Sequence, residues 1–237
     1  MKKVIIVGAS SGIGRALAIL FAGHNWMVGV TGRRKELLDA LHDLHPAQIV
    51  PLAFDNTEDA ATDHLQRLIT KLGGLDLLVL SSGTGNINTA LDWSIEEETL
   101  ILNVVAWTRI ADYTFNYFKA QGSGHFVAIT SIAAIRGEGR APAYNASKSF
   151  QAKYLEGLRK MAFHKKLRIS ITDIQPGFVH TSMAKGTGRF WEASPEKAAS
   201  QMLAAILHKK KKVYITKRWW LIAQILKVLP DYLYNRL

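Results

Sequence analysis

Near the start of the chain, Val4-Ile5-Ile6-Val7 runs directly into Gly8-Ala9-Ser10-Ser11-Gly12-Ile13-Gly14. A helical spacing of apolar residues then begins at Ile13, Leu17, Leu20 and Phe21. A short, wholly apolar run bounded by glycine fits a strand covered on both faces. The glycines fit a tight turn that leaves no room for a Cβ. A helix leaving that turn points its free N–H groups and the positive end of its dipole back into it. Such a place binds an anion, most often a phosphate. The order is Gly-x-x-x-Gly-x-Gly rather than Gly-x-Gly-x-x-Gly, and alone it also fits a glycine-rich connection in some other α/β protein.

The alternation continues along the chain. Strand-like runs fall at 4–7, 26–30, 48–52, 75–80, 125–130, 168–174 and 212–216. Helical runs fall at 13–24, 34–44, 58–72, 95–120, 143–164 and 195–208, with a last one at 218–229. Strand and helix in regular turn predict a doubly wound parallel sheet of seven strands with helices on both faces and right-handed crossovers. One domain over 1–237 is expected, with 217–237 as a C-terminal helical extension, apolar and basic. A length of 237 residues, 48% of them apolar, supplies a large single core. Cysteine is absent, which excludes disulfides and thiolate metal sites, and no metal site is expected. No leader segment and no bilayer-spanning run is read, so a cytoplasmic protein is expected.

In such a sheet, ligands lie beyond the carboxyl ends of the strands. Those ends are 8–14, 31–34, 53–56, 81–85, 131–139 and 175–183, all rich in small and polar residues. After the second strand, an NAD site places an acid for the ribose hydroxyls, whereas a basic residue accommodates a 2′-phosphate. Here the run is Thr31-Gly32-Arg33-Arg34, with no acid before Glu36. NADP(H) is therefore favoured over NAD(H). A guanidinium can pair two phosphate oxygens and stack on adenine, so Arg33 is the expected main contact. Arg34 is read first as a surface residue opening the next helix and second as a further cofactor contact. After the third strand, Asp55 and Asn56 face the adenine edge, or Asp55 caps the following helix.

Tyr144 and Lys148 stand four residues apart in a helical run, on one face. A free phenol has a pKa of about 10. A lysine cation beside it favours the phenolate and is expected to lower that value, which tunes Tyr144 as a general acid or base. Tyr-x-x-x-Lys alone usually marks a solvated helix face. Three features strengthen it: Ser131 thirteen positions earlier at a strand end, Asn103 inside the long apolar helix 95–120, and Pro176-Gly177 after the sixth strand.

Taken together, these residues resemble the classical short-chain dehydrogenase/reductase family, over nearly the whole chain. Gly8-Ala-Ser-Ser-Gly-Ile-Gly14 matches its coenzyme turn, with Ser10, Ser11, Gly12 and Ile13 inside it. Ser131, Tyr144 and Lys148 match its catalytic triplet, and Asn103 its fourth member. Pro176-Gly177-Phe178-Val179-His180-Thr181 resembles its segment beside the nicotinamide carboxamide, with Val179 and Thr181 as contacts. The resemblance implies a Rossmann fold and hydride transfer between nicotinamide and a carbonyl or alcohol carbon. It implies that Tyr144 exchanges the proton, that Ser131 orients the oxygen, and that Lys148 holds the nicotinamide ribose and depresses the tyrosine pKa. It also implies that the Asn103 backbone carbonyl holds a water linking Lys148 to solvent. Two departures stand out: Val7 replaces the usual threonine, and Ser81-Ser82-Gly83 replaces the usual Asn-Ala-Gly. Altered bracing between those strands is expected, with Ser82 and Gly83 still small enough to let the adenosine approach.

On the substrate side, 178–193 is expected to cover an apolar pocket with Phe178, Met183, Phe190 and Trp191, hinged at Gly186 and Gly188. Ile132, Ile135 and Trp93 are candidate walls; Arg136, Arg140 and His180 read first as surface residues. The net charge of +11 is concentrated late: Lys209 to Lys212, Lys217, Arg218, Lys227 and Arg236 face Asp231 alone. The helix at 218–229 is too short to span a bilayer and apolar over most of its surface. Packing over the pocket or in a dimer interface ranks first for it, peripheral membrane contact second. The aromatics Trp107, Tyr113, Phe115, Tyr117 and Phe118 are divided between core filling and a subunit interface in a homo-oligomer, dimer or tetramer. Nucleic-acid binding through the basic tail ranks last, because the lysines sit in one turn with no evident base-stacking platform, and no nucleic-acid partner is expected. A nucleotide sensor without turnover on the same scaffold is the alternative function.

Overall fold

The structure, a computed structural model, describes residues 1–181 and 190–236. Seven parallel strands form one sheet in the order β3-β2-β1-β4-β5-β6-β7. They are β1 Lys3–Val7, β2 Met27–Gly32, β3 Ile49–Ala53, β4 Leu77–Leu80, β5 Ser123–Ile129, β6 Arg168–Pro176 and β7 Lys212–Ile215. The helices between them are α1 Gly12–Gly23, α2 Lys35–Leu44, α3 Ala61–Leu72, α4 Trp93–Leu100, α5 Trp107–Gln121, α6 Pro142–His164 and α7 Pro195–Leu207. Two more, α8 Trp219–Val228 and α9 Asp231–Tyr234, end the chain.

The strands read as unbroken apolar runs because both faces are covered. Successive residues of β1 show it: Val4 and Ile6 join the core beneath α1 and α7, while Ile5 and Val7 join the core beneath α3, α5 and α6. Strand order reverses between β1 and β4, which sends crossovers to opposite faces and opens a crevice at the strand ends. Phe54, Asp55 and Asn56 of the β3 end, and Ser131 of the β5 end, converge on that crevice.

Several boundaries differ from the sequence reading. The run expected as one helix at 95–120 begins at Trp93 and ends at Gln121, and is interrupted by a turn of π-helix at Ile101–Ala106. The Trp107 N–H reaches back five residues to the Leu102 carbonyl, and Asn103 sits inside that turn. Such bulges mark places where a functional side chain is re-aimed. A single turn of 3₁₀ helix at Ile132–Ala134, capped by Ser131 accepting from the Ala133 N–H at 3.1 Å, has no counterpart in the sequence reading. The helical aromatics resolve toward the core: Trp107, Phe115 and Phe118 are buried, and Tyr113 and Tyr117 pack against the same cluster.

Candidate active site

A cavity of about 890 Å³ lies at the carboxyl ends of the strands. Its lining includes Gly8, Ser10, Ser11, Gly12, Ile13 and Gly14 of the glycine turn; Arg33 and Arg34; Asp55 and Asn56; and Ser82 and Gly83. Ser131, Tyr144, Lys148, Pro176, Gly177, Val179 and Thr181 complete it. Of the sequence-derived site residues, Asn103 alone stands behind the wall, fully buried.

The glycine turn is built as a cradle. Gly8 (φ +88°) and Gly12 (φ +57°) adopt the left-handed backbone that glycine tolerates best. A Cβ on Gly8 would come within 2.7 Å of the Ser82 backbone, and one on Gly14 would collide with the Gly8 carbonyl. The Gly8 and Ala9 N–H groups donate to the Thr31 carbonyl at 3.1 and 2.9 Å, which fixes the turn's exit. At the β4 end, the Ser81 N–H donates to the Val7 carbonyl at 2.8 Å. Val7 itself is buried, so the bracing at this point is main-chain. The side-chain oxygen of Asn56 is buried without a hydrogen-bond partner among the described residues and stands in the cavity wall. An open glycine cradle at a helix N-terminus, two guanidiniums and an orphaned acceptor on the adenosine side fit a dinucleotide phosphate.

The two arginines are placed differently from expectation. Arg34 Nη2 donates to Ser10 Oγ at 2.8 Å and to Ser11 Oγ at 2.9 Å, so it is docked on the glycine turn and is more than an exposed helix opener. Arg33 extends into solvent, 3.7 Å from the Asp55 carboxylate. Asp55 does not cap α3, which starts at Ala61; it accepts from the N–H and hydroxyl of Thr57, both at 2.9 Å.

Ser131 and Tyr144 line the same cavity, and the Lys148 ammonium lies 5.8 Å from the Tyr144 ring centre. Helix α6 is tied where it matters. The first-turn Ala143 N–H donates to Glu96 Oε2 at 3.0 Å. Asn145 Nδ2 and Ser149 Oγ donate to the Arg136 and Ala134 carbonyls, binding the helix to the segment that carries Ser131. Gly85 lies against the Tyr144 ring so closely that a Cβ there would overlap it. Asn103 holds the opposite wall: its amide accepts from the Thr84 N–H at 2.9 Å, and donates to the Thr84 carbonyl at 2.7 Å and to Ser147 Oγ at 3.0 Å.

The electrostatics correct one expectation. Burial pushes the Tyr144 phenol up from its ordinary value, and the neighbouring Ser131 hydroxyl opposes this only in part. Lys148 is buried as well; burial brings its pKa down to about 8, against the opposing pull of the Asp173 carboxylate. A desolvated lysine at this distance does not outweigh desolvation of the phenol. In this state Tyr144 is a proton donor.

A third group of residues closes the cavity from the C-terminal side. Trp219 of α8 is buried against Phe178 and Phe190, with ring centres 5.4 and 5.2 Å away, and lies directly on Gly177. Leu226 and Tyr234 reach the cavity wall. Arg136 fastens this tail: it donates to the Leu229 carbonyl at 2.9 Å, pairs with Asp231 at 2.5 Å and stacks over Tyr234 at 4.4 Å. Trp93, expected as a wall, is exposed and outside the lining. Met183, Gly186 and Gly188 lie outside the described residues.

The chain matches the short chain dehydrogenase family over residues 2–190. It belongs to that family. Among curated proteins, an oxidoreductase of Myxococcus xanthus described as uncharacterized is 32% identical over 188 residues, 77% of this chain and 74% of that protein. A dehydrogenase/reductase SDR family protein 7-like of Anopheles gambiae is 28% identical, over 90% of this chain and 74% of that one. Among solved structures, a short chain dehydrogenase of Burkholderia cenocepacia in complex with NADP superposes with a TM-score of 0.84 at 21% identity, over 100% of this chain and 98% of that one. A 3-ketoacyl-(acyl-carrier-protein) reductase of Brucella melitensis complexed with NADH gives 0.80 at 19% identity, over 91% and 97%. The protein is thus an NAD(P)(H)-dependent oxidoreductase of short-chain dehydrogenase type.

Sequence reasoning missed three contributors to this dehydrogenase site, Glu96, Gln151 and Trp219, and read a fourth, Arg136, first as a surface residue. Glu96, Arg136, Gln151 and Trp219 are separated from the residues they hold by 47, 95, 48 and 42 positions. Gln151 follows Ser147 and Lys148 on the buried face of α6, so no break in pattern marked it.

Proposed function

We propose that this dehydrogenase is NADP(H)-dependent and acts on the carbonyl or alcohol carbon of a small, apolar substrate. The observation that carries the proposal is that Ser131, Tyr144 and Lys148, the last 5.8 Å from the Tyr144 ring centre, face the same cavity as the glycine cradle. NADP(H), when bound, supplies or accepts the hydride. The chain's own part is to orient and to move a proton. Ser131 holds the substrate oxygen beside the Tyr144 hydroxyl, and Tyr144, protonated near neutral pH, gives it the proton in the reducing direction. Lys148 and the glycine-turn N–H groups position the cofactor, and Arg34 with Arg33 meets a 2′-phosphate. Phe178, Ile132 and Leu226 give the substrate end an apolar lining, which supports an apolar substrate. Tyr144→Phe should lower NADPH consumption, followed by absorbance over a panel of aldehydes and ketones, by about 10²–10⁴-fold, with NADPH still bound. Turnover at the wild-type rate in the variant would remove the tyrosine from this role.

The protein is proposed to work in the cytoplasm as a homo-oligomer, touching an anionic lipid surface through α8. Leu221, Ile225 and Val228 form an exposed stripe on this helix, flanked by Lys217, Arg218 and Lys227. The nearby acid Asp231 is taken up by Arg136. No helix among the described residues is long and apolar enough to cross a membrane, so the contact is peripheral. Ile225→Asp with Val228→Asp should abolish cosedimentation with phosphatidylserine vesicles. Equal pelleting of variant and wild type, or no pelleting of either, ends the idea.

A further inference from the structure

The buried Lys148 ammonium needs acceptors, because a desolvated charge without partners is strongly unfavourable. Nζ donates to the Ile129 carbonyl at 3.3 Å and to Gln151 Oε1 at 3.1 Å. The other end of the same amide, Gln151 Nε2, donates to the Asn103 backbone carbonyl at 2.8 Å. Gln151 is fully buried, one turn beyond Lys148 on α6. Its orientation is settled by chemistry: a main-chain carbonyl can only accept, so it faces the NH₂ group, and an ammonium can only donate, so it faces the oxygen. A glutamate would lack a donor for Asn103 when ionised, and an asparagine is one methylene short. The π turn at Ile101–Ala106 brings the Asn103 carbonyl to this amide.

We propose that Gln151 is a positioning residue of the active site, its amide forming a direct link that fixes Lys148 against Asn103 and keeps the cation under Tyr144. It bonds the same Asn103 carbonyl to which the family resemblance assigns a water. Water can pass a proton because one oxygen both donates and accepts. In the amide those roles belong to different atoms, so the link holds a charge in place and does not relay a proton. Through this link Lys148 is held as a fixed cation beneath Tyr144. The catalytic meaning rests on the oxidoreductase reading above; the link itself can be measured without turnover.

The test is the titration of the Lys148 Nζ in ¹⁵N-labelled, cofactor-free protein, with the resonance assigned through Lys148→Arg. Wild type should titrate near the value of about 8 set by burial. Gln151→Met, which removes an acceptor from the charged form, should move the midpoint down by about one pH unit, and Gln151→Glu should move it up. The same two variants should move the pH profile of NADPH consumption, Gln151→Met toward higher pH, because a weaker cation leaves the phenol protonated further into the alkaline range. Far-UV circular dichroism checks folding; if Gln151→Met unfolds, Gln151→Glu carries the test. Midpoints unmoved in the folded variants overturn the proposal, even if rates fall. Moved midpoints in a chain that consumes no NADPH sustain the link and instead defeat the oxidoreductase reading.

Discussion

Tyr144 and Lys148 sit one helical turn apart, yet burial acts on them in opposite directions: it raises the phenol and lowers the ammonium. Both shifts favour the neutral forms, so the site is poised to give a proton. Reduction should accordingly outpace the reverse reaction near neutral pH, and the reducing rate should fall only on the alkaline side. A pH profile taken in both directions checks this. The two arginines make a second case. Arg34 is held by the Ser10 and Ser11 hydroxyls, whereas Arg33 is tethered only loosely to Asp55. Arg34→Asp should therefore cut the NADPH-over-NADH preference more than Arg33→Asp does, by about tenfold or more for each charge-assisted hydrogen bond to the 2′-phosphate that the variant cannot make. Equal ratios in both variants would return the role to Arg33. The sequence showed that two guanidiniums follow β2. It could not show which one turns inward, because a serine hydroxyl 23 or 24 positions away decides that.

At the scale of elements, the segment that most changes the site is α8. Its sequence is apolar nearly all round, which left three placements open, and its register against Gly177 puts the Trp219 face over the cavity. Trp219 lies where a side chain on residue 177 would have to be. Gly177→Ala should overpack this contact, destabilise the protein by about 1–3 kcal/mol and shift tryptophan fluorescence to the red as Trp219 is displaced. Arg136→Ala removes the fastening of α8 and α9 without touching the sheet. Trypsin should then cut the tail after Lys217 or Arg218 sooner, with the core fragment intact, and an unaltered digestion pattern would show that packing alone holds the tail. The π turn between α4 and α5 illustrates the reverse situation. Asn103 in an apolar helical run was visible as an anomaly, but an inserted residue in the hydrogen-bond ladder leaves no mark in periodicity.

For the whole molecule, the buried groups set the pH range of stability. His125 of β5 bonds Thr172 Oγ1 at 2.8 Å, and burial lowers its pKa from 6.5 to about 4. Above pH 6.5 both folded and unfolded states are neutral and the contribution is complete. Between 6.5 and 4 the unfolded chain takes up the proton first, so stability is lost as pH falls, by at most about 3 kcal/mol. Urea midpoints over this range should drop for the wild type and flatten for His125→Gln. Lys148 acts at the other end: its folded pKa of about 8 lies below the ordinary lysine value of 10.5, so stability gains as pH rises between the two.

The sequence alone determined the seven strands, their parallel sense and the glycine cradle, because each rests on local pattern, while the four members of the proposed catalytic set rest on the family resemblance. Apolar runs report burial, glycine reports a backbone that excludes a Cβ, and a four-residue spacing reports a shared helix face. Tertiary structure decided the rest: which arginine meets the cradle, which way burial moves the phenol, how the tail roofs the cavity, and how Gln151 joins Lys148 to Asn103. These depend on distances between residues far apart in the chain, where side-chain packing and the removal of water, rather than sequence pattern, fix the outcome.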